Sequence, residues 1–235
     1  MKDIEILYED NHVIACVKPV NVLSQSDSTG DEDMLSSVKA YIKNKYNKPG
    51  DVFLGLVHRL DRPVGGVMVF ARTSKAASRI SEQIRTRNFF DKKYLAVLKG
   101  IPKERKGEYT DYLLKNERTN TVSVLSKGEV NDKAKEAKLM YEIIETVKND
   151  YGIFTLVQVE LYTGRPHQIR VQFASRKTPL FGDMRYGDHS AAKENGLALW
   201  SKSIDFQHPT LDKIIHVEKL PPKIIPWSIF GGRYQ

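Results

Sequence analysis

The sequence predicts an α+β fold. Strand-like segments dominate, a few segments of helical spacing are mixed among them, and no repeat, low-complexity stretch or linker divides the 235 residues. One domain over residues 1–235 is the expectation, a length that can bury one substantial core.

From the N-terminus, residues 4–8 and 13–17 read as strands, with Glu9, Asp10 and Asn11 as the turn between them. Residues 24–33 are polar and predict a loop, after which Leu35, Val38, Tyr41 and Ile42 recur at helical spacing. A short run over 52–57 leads into the loop from His58 to Gly66. Residues 67–71 are continuously apolar, as in a central strand covered on both faces. Thr73 or Ser74 then caps a helix whose Ala76, Ile80 and Ile84 share a face. Residues 94–98 read as another strand, and residues 100–135, rich in Lys, Glu, Asn and Gly, predict a solvated hairpin region. Two long strands follow over 138–147 and 153–162. In the second, Phe154, Leu156, Gln158, Glu160 and Tyr162 alternate with Thr155, Val157, Val159 and Leu161. The turn Thr163-Gly164-Arg165-Pro166 leads into a helix through Gln168, Ile169, Gln172 and Phe173, with Pro166 suited to its first position. Short strands punctuated by Pro209, Pro221, Pro222 and Pro226 close the chain.

Composition narrows the function classes. A hydrophobic content of 40% and a charged content of 28% are those of an ordinary globular protein. The longest apolar runs are only a few residues, so no membrane span is predicted. The opening Met1-Lys2-Asp3-Ile4-Glu5 carries acids where a targeting peptide would be basic and apolar. Cys16 is the lone cysteine and reads as a small core residue; no Cys/His spacing points to a metal. A reducing, cytoplasmic location fits all of this. Lys and Arg number 37 against 29 Asp and Glu, a formal net charge of +8, which suggests a polyanionic partner such as nucleic acid. Charge alone does not separate an enzyme from a binding module.

Three segments carry possible chemistry. In His58-Arg59-Leu60-Asp61-Arg62-Pro63-Val64-Gly65-Gly66, two guanidinium groups flank one carboxylate. Opposite charge keeps a carboxylate ionised, and an ionised carboxylate on a loop at the end of a buried strand suits nucleophilic or base chemistry. A surface salt-bridge cluster beside a turn describes the same residues. In Gly164-Arg165-Pro166-His167-Gln168-Ile169-Arg170, Pro166 holds Arg165 extended at a strand-to-helix turn, where it can meet a carboxylate; an exposed basic helix start is the plainer reading. In Lys92-Lys93-Tyr94, an aromatic face lies beside cations, as at a base-stacking site, although strand tyrosines are more often core or sheet surface.

Taken together, Lys18-Pro19, His58-Arg59-Leu60-Asp61, Lys93-Tyr94-Leu95-Ala96-Val97, the 164–170 segment and Gly182-Asp183-Met184-Arg185-Tyr186-Gly187 resemble the motifs of the RluA-type RNA pseudouridine synthases. They stand in that family's order, and Phe206-Gln207-His208-Pro209 resembles its closing strand. The resemblance implies a mixed, largely antiparallel sheet with a few flanking helices and a central active-site cleft. It implies isomerisation of uridines in structured RNA, ribosomal or transfer, with the target base flipped out. Asp61 would be the catalytic carboxylate, Arg165 its ion-pair partner, and Tyr94 the contact to the target base. Arg59 would fill the space the base vacates, Ile169 would wall the pocket, and His58, Arg62 and Arg170 would complete the RNA-binding set. The reaction involves no redox change, so no cofactor is expected; RNA is the expected partner, with no obligate protein partner and a monomeric chain.

The early place of Lys18-Pro19 leads to the expectation of a bare catalytic domain, without the S4-like domain that precedes it in many relatives. RNA would then be held by the domain surface and by the basic residues 85–93 and 99–106, stretches that equally read as solvated faces. One departure stands out. Arg62-Pro63-Val64-Gly65-Gly66 replaces the family's usual Thr-Ser-Gly run, which leaves the loop's internal hydrogen bonding open. An RNA-binding module without catalysis would share the charge and the aromatic but has no use for Asp61. A glycosidase needs two carboxylates, and these motifs offer no partner for Asp61.

Overall fold

A computed structural model describes residues 4–187 and 196–232. Met1, Lys2 and Asp3 of the acidic opening lie outside the described residues. The chain forms two compact units, Met1–Lys92 with Ser201–Lys219, and Lys93–Trp200 with Leu220–Gln235.

The first unit is built on β4 (Gly65–Ala71), in which all seven residues are buried, as its unbroken apolar run predicts. β2 (Val13–Lys18) pairs with it antiparallel from Val13 opposite Ala71 to Lys18 opposite Gly66. β1 (Ile6–Glu9) lies outside β2, and Asp10 closes the turn between them by accepting from the amides of His12 and Val13 at 2.7 and 2.8 Å. Gly66 must be glycine. Its φ is +118°, and a Cβ there would collide with the Ser201 carbonyl oxygen. Ser201 belongs to β10 (Leu199–Gln207), which pairs with β11 (Ile214–Glu218) from Ser203 opposite Glu218 to Gln207 opposite Ile214. The short β3 (Gly55–Leu56) adds to the far end of β4.

Two helices complete this unit. In α1 (Met34–Lys45), Met34, Val38 and Ile42 are buried four apart, and the Asp33 side chain caps the amide of Ser36. In α2 (Ser74–Thr86), Thr73 is the cap and Ala76 and Ile80 turn inward onto Val67, Val69, Ile204 and Phe206. Cys16 is fully buried in β2, and burial pushes its thiol up to about 12, so it acts as a small core group.

The second unit is an antiparallel sheet in the order β5-β9-β8-β6-β7. Its strands are β5 (Phe90–Lys99, in this unit from Lys93), β6 (Lys106–Asn116), β7 (Thr121–Leu125), β8 (Lys135–Asn149) and β9 (Gly152–Leu161). β6 and β7 are the hairpin expected within residues 100–135, but β6 is long enough to run on along β8. α3 (Gln168–Ala174) buries six of its seven residues, with the Phe173 ring packed against those of Tyr109 and Tyr141 at 5.3 and 5.4 Å. The helix starts two residues later than Pro166 suggests, after His167 in left-handed backbone. The reason is Gln168, whose Oε1 accepts from Thr163 Oγ1 and from the Arg165 amide at 2.7 and 3.0 Å, holding the preceding residues as a turn. Among the described residues no helix is long and apolar enough to cross a membrane.

Candidate active site

The residues of the His58 loop are held from below by three polar side chains of the first unit. Ser24 Oγ donates to the Leu60 carbonyl at 2.7 Å and accepts from the Leu60 amide at 3.0 Å, so both backbone groups of the residue before Asp61 rest on one hydroxyl. Lys18 is fully buried, and its Nζ donates to the carbonyls of Pro19, Val22 and Arg62 at 3.0, 2.6 and 3.0 Å. The residue after Asp61 is thereby tied to the end of β2. Burial pushes the Lys18 ammonium down to about 7, opposed by the charge of Asp61. The Val64 amide donates to the Asp61 carbonyl at 3.0 Å. That turn, with the Lys18 bonds, closes the loop through Pro63 and Val64.

The third prop is His58. Its Nε2 accepts from the Val69 amide of β4 at 2.9 Å, which places the ring proton on Nδ1. Burial, helped by the nearby Lys92 charge, pushes it down to about 3, so the ring is neutral at pH 7. Arg62 pairs with Asp31 at 2.7 Å, both groups about half exposed, and its Nε donates to the Asn21 carbonyl. Arg59 is exposed and, among the described residues, has no hydrogen-bond or ion-pair partner. Asp61 itself is half-buried between these two arginines in sequence.

Within the second unit, Tyr94 is buried on β5 opposite Val159 of β9. Arg165 stands in the turn held by Gln168, and its Nε donates to the Glu136 carbonyl at 2.8 Å. Ile169 is 4% exposed at the start of α3. Arg170 is committed to protein: its Nε and Nη2 reach the two oxygens of Asp183 at 2.8 Å each, with both side chains buried. Burial alone would raise the Asp183 carboxyl, but Arg170 and the amides of Arg185 and Tyr186 outweigh it and hold it below its ordinary value. Tyr186 adds a second weld, its hydroxyl meeting His167 Nδ1 at 2.6 Å and the Val122 amide at 2.8 Å. Sequence reasoning thus grouped His58, Arg59, Asp61 and Arg62 on one loop, but missed Lys18, Ser24, Gln168 and Asp183 as the groups that hold the motifs in place.

The sequence profile of the RNA pseudouridylate synthases matches residues 12–175, a span that contains Lys18, the whole 58–66 loop, Tyr94 and the 164–170 turn and helix. The chain belongs to that family. Its fold is that of solved pseudouridine synthase structures: it superposes on the human RNA pseudouridylate synthase domain containing protein 4 with a TM-score of 0.78 at 21% identity, covering 96% of this chain and 92% of that one. The large-subunit ribosomal pseudouridine synthase C of Buchnera aphidicola is 31% identical across 97% of this chain and 69% of its own length. The enzyme of the same name from Escherichia coli K12 is 30% identical across 91% of this chain and 65% of its own. The chain therefore spans about two thirds of the length of those two relatives, and its motifs belong to a family of RNA isomerases.

Proposed function

We propose that the chain converts specific uridines of structured RNA, ribosomal or transfer, into pseudouridine in the cytoplasm, with Asp61 as the catalytic carboxylate. In this isomerisation the bond from ribose C1′ to N1 breaks and one from C1′ to C5 of the same base forms. The hydrogen on C5 is lost and N1 ends protonated, so atoms balance with no redox change and no electron carrier is required. Asp61 adds to or deprotonates the nucleoside, and a carboxylate that attacks must be held still. The observation that carries the reading is this fixing: Ser24 on one side and Lys18 on the other grip the residues flanking Asp61.

By the family resemblance, Tyr94 faces the target base and takes part in proton movement at C5, and Arg165 is the guanidinium that keeps the carboxylate charged. Ile169 walls the base. The exposure of Arg59 supports a role in filling the space of the flipped base, and Arg62 completes the contact to RNA. Flipping costs a few kcal/mol of unstacking, which cationic contacts to phosphates offset. The committed bonds of His58 and Arg170 favour positioning roles for these two over direct contact with RNA. The names of the two bacterial relatives support large-subunit ribosomal RNA as the first substrate to try.

The test is to map pseudouridines in cellular RNA with and without the gene, then complement with wild type and with Asp61→Asn. Wild type should restore the missing sites, and the nearly isosteric Asp61→Asn should restore none while still folding and binding RNA. Restoration by Asp61→Asn would overturn the assignment.

A further inference from the structure

The turn between α2 and β5 carries two groups that the proposed site does not use. α2 ends at Arg87 with φ +57°, where the amides of Arg87 and Asn88 both donate to the Gln83 carbonyl. Phe89 follows at φ +59°. Glycine or asparagine takes such backbone readily, whereas a bulky residue is an outlier there. The ring does not make up for this by burial, since Phe89 is 54% exposed. The backbone is nonetheless held, because the Gln207 amide donates to the Phe89 carbonyl at 3.1 Å. The next residue, Phe90, is buried with its ring 6.1 Å from Phe206 and 5.8 Å from His58, three positions before Asp61. The turn is thus tied through one ring contact to the loop that carries the carboxylate.

The charges of this basic segment sort themselves by partner. Arg85 is locked onto both oxygens of Glu82 at 2.6 and 2.7 Å. Lys92 is half-buried beside His58. Arg87 is exposed and, among the described residues, has neither a carboxylate nor a carbonyl for its guanidinium. One unpaired cation and one exposed ring therefore stand two residues apart. Proteins that bind single strands use this combination, an aromatic face for a base and a cation for the backbone beside it.

We propose that the Arg87-Asn88-Phe89 turn is a contact for single-stranded RNA next to the Asp61 loop, with Phe89 stacking on an unpaired base and Arg87 meeting a neighbouring phosphate. The proposal rests on the reading of the chain as an RNA-modifying enzyme and adds a binding element to it.

The experiment measures binding of a fluorescent oligouridylate by the whole chain, and KM on large-subunit ribosomal RNA transcribed without modification. Phe89→Gly should weaken oligouridylate binding about tenfold. Its thermal midpoint should stay level or rise, because glycine suits φ +59°, so misfolding would not account for the loss. Phe89→Trp should bind like wild type. Arg87→Ala should weaken binding and make the salt slope shallower by about 0.7, whereas Arg85→Ala should leave both as they are. The proposal fails if Phe89→Gly keeps wild-type affinity, if Arg85→Ala and Arg87→Ala weaken binding equally, or if wild type does not bind oligouridylate. These outcomes are separate from the fate of the proposed reaction. A wild type that makes pseudouridine alongside a Phe89→Gly variant of unchanged Kd and KM leaves the enzyme standing and removes only the turn. A wild type that makes none removes the reaction whatever the turn binds.

Discussion

Lys18 ends β2 with its ammonium wholly enclosed, where most lysines reach solvent. Its three carbonyl acceptors come from residues 19, 22 and 62, and the last of these adjoins Asp61. Lys18→Met keeps the stem but strands those carbonyls, so a loss of about 1–3 kcal/mol in urea unfolding at pH 7 is expected. Turnover should fall by at least about tenfold as the carboxylate loses its support, since small misplacements are costly. Wild-type stability in that variant would mean the lysine holds nothing. The pH dependence has a definite sign. The folded value lies near 7 and the unfolded value near 10.4, so between them the unfolded chain binds more protons and wild-type stability rises with pH. Lys18→Met should lack that rise. None of this was legible locally: a lysine at a strand end reads as surface charge, and one of its acceptors is 44 residues away in sequence. The Asp61 loop stood out only through the family resemblance, since Arg59 and Arg62 near a carboxylate equally describe a surface salt-bridge cluster.

Elements defined by local periodicity were readable, and those defined by distant partners were not. α1 and α2 follow their apolar spacing and their caps at Asp33 and Thr73. The unbroken run of β4 announced a strand buried on both faces. The start of α3 was misjudged because Pro166 is a local signal, while the Gln168 bonds to Thr163 and Lys138 that hold the turn appear only with the fold. At Gly66, the second residue of β4, the constraint is likewise distant: the backbone of β10, 135 residues on. Gly66→Ala combines positive φ with a backbone collision that has no flexible side chain to yield. A loss of at least about 2 kcal/mol is expected, near the upper end for single substitutions. Gly128→Ala, with open space around it, should stay within about 0.5 kcal/mol of wild type. Equal thermal midpoints for the two variants would contradict the close approach of Gly66 to Ser201.

For the whole chain, the question is which cations make up the surplus of eight. Charges paired inside a unit cancel where they match one to one, as Arg176 with Asp111 and Arg170 with Asp183, whereas Lys45 and Arg72 share the single carboxylate of Glu9 and leave one positive charge over. The surplus acting on RNA comes first from exposed cations without such partners, Arg59 and Arg87 among them. Binding of RNA by Asp61→Asn should therefore weaken steeply with salt, each phosphate contact adding about 0.7 to 0.9 to the slope of log affinity against log salt. With eight surplus charges, a slope of roughly −3 to −6 is expected. On that background, Arg59→Ala should make the slope shallower by about 0.7, with stability within about 0.5 kcal/mol of wild type. Arg170→Met should behave in the opposite way. It strands the buried Asp183 carboxylate, so stability should fall by about 3–5 kcal/mol while the slope of whatever remains folded is unchanged. Salt titrations by fluorescence anisotropy, beside urea unfolding of the same variants, separate the two. A shallower slope in Arg170→Met would return that arginine to the RNA surface, and a flat slope in Asp61→Asn would remove the electrostatic basis for RNA binding altogether.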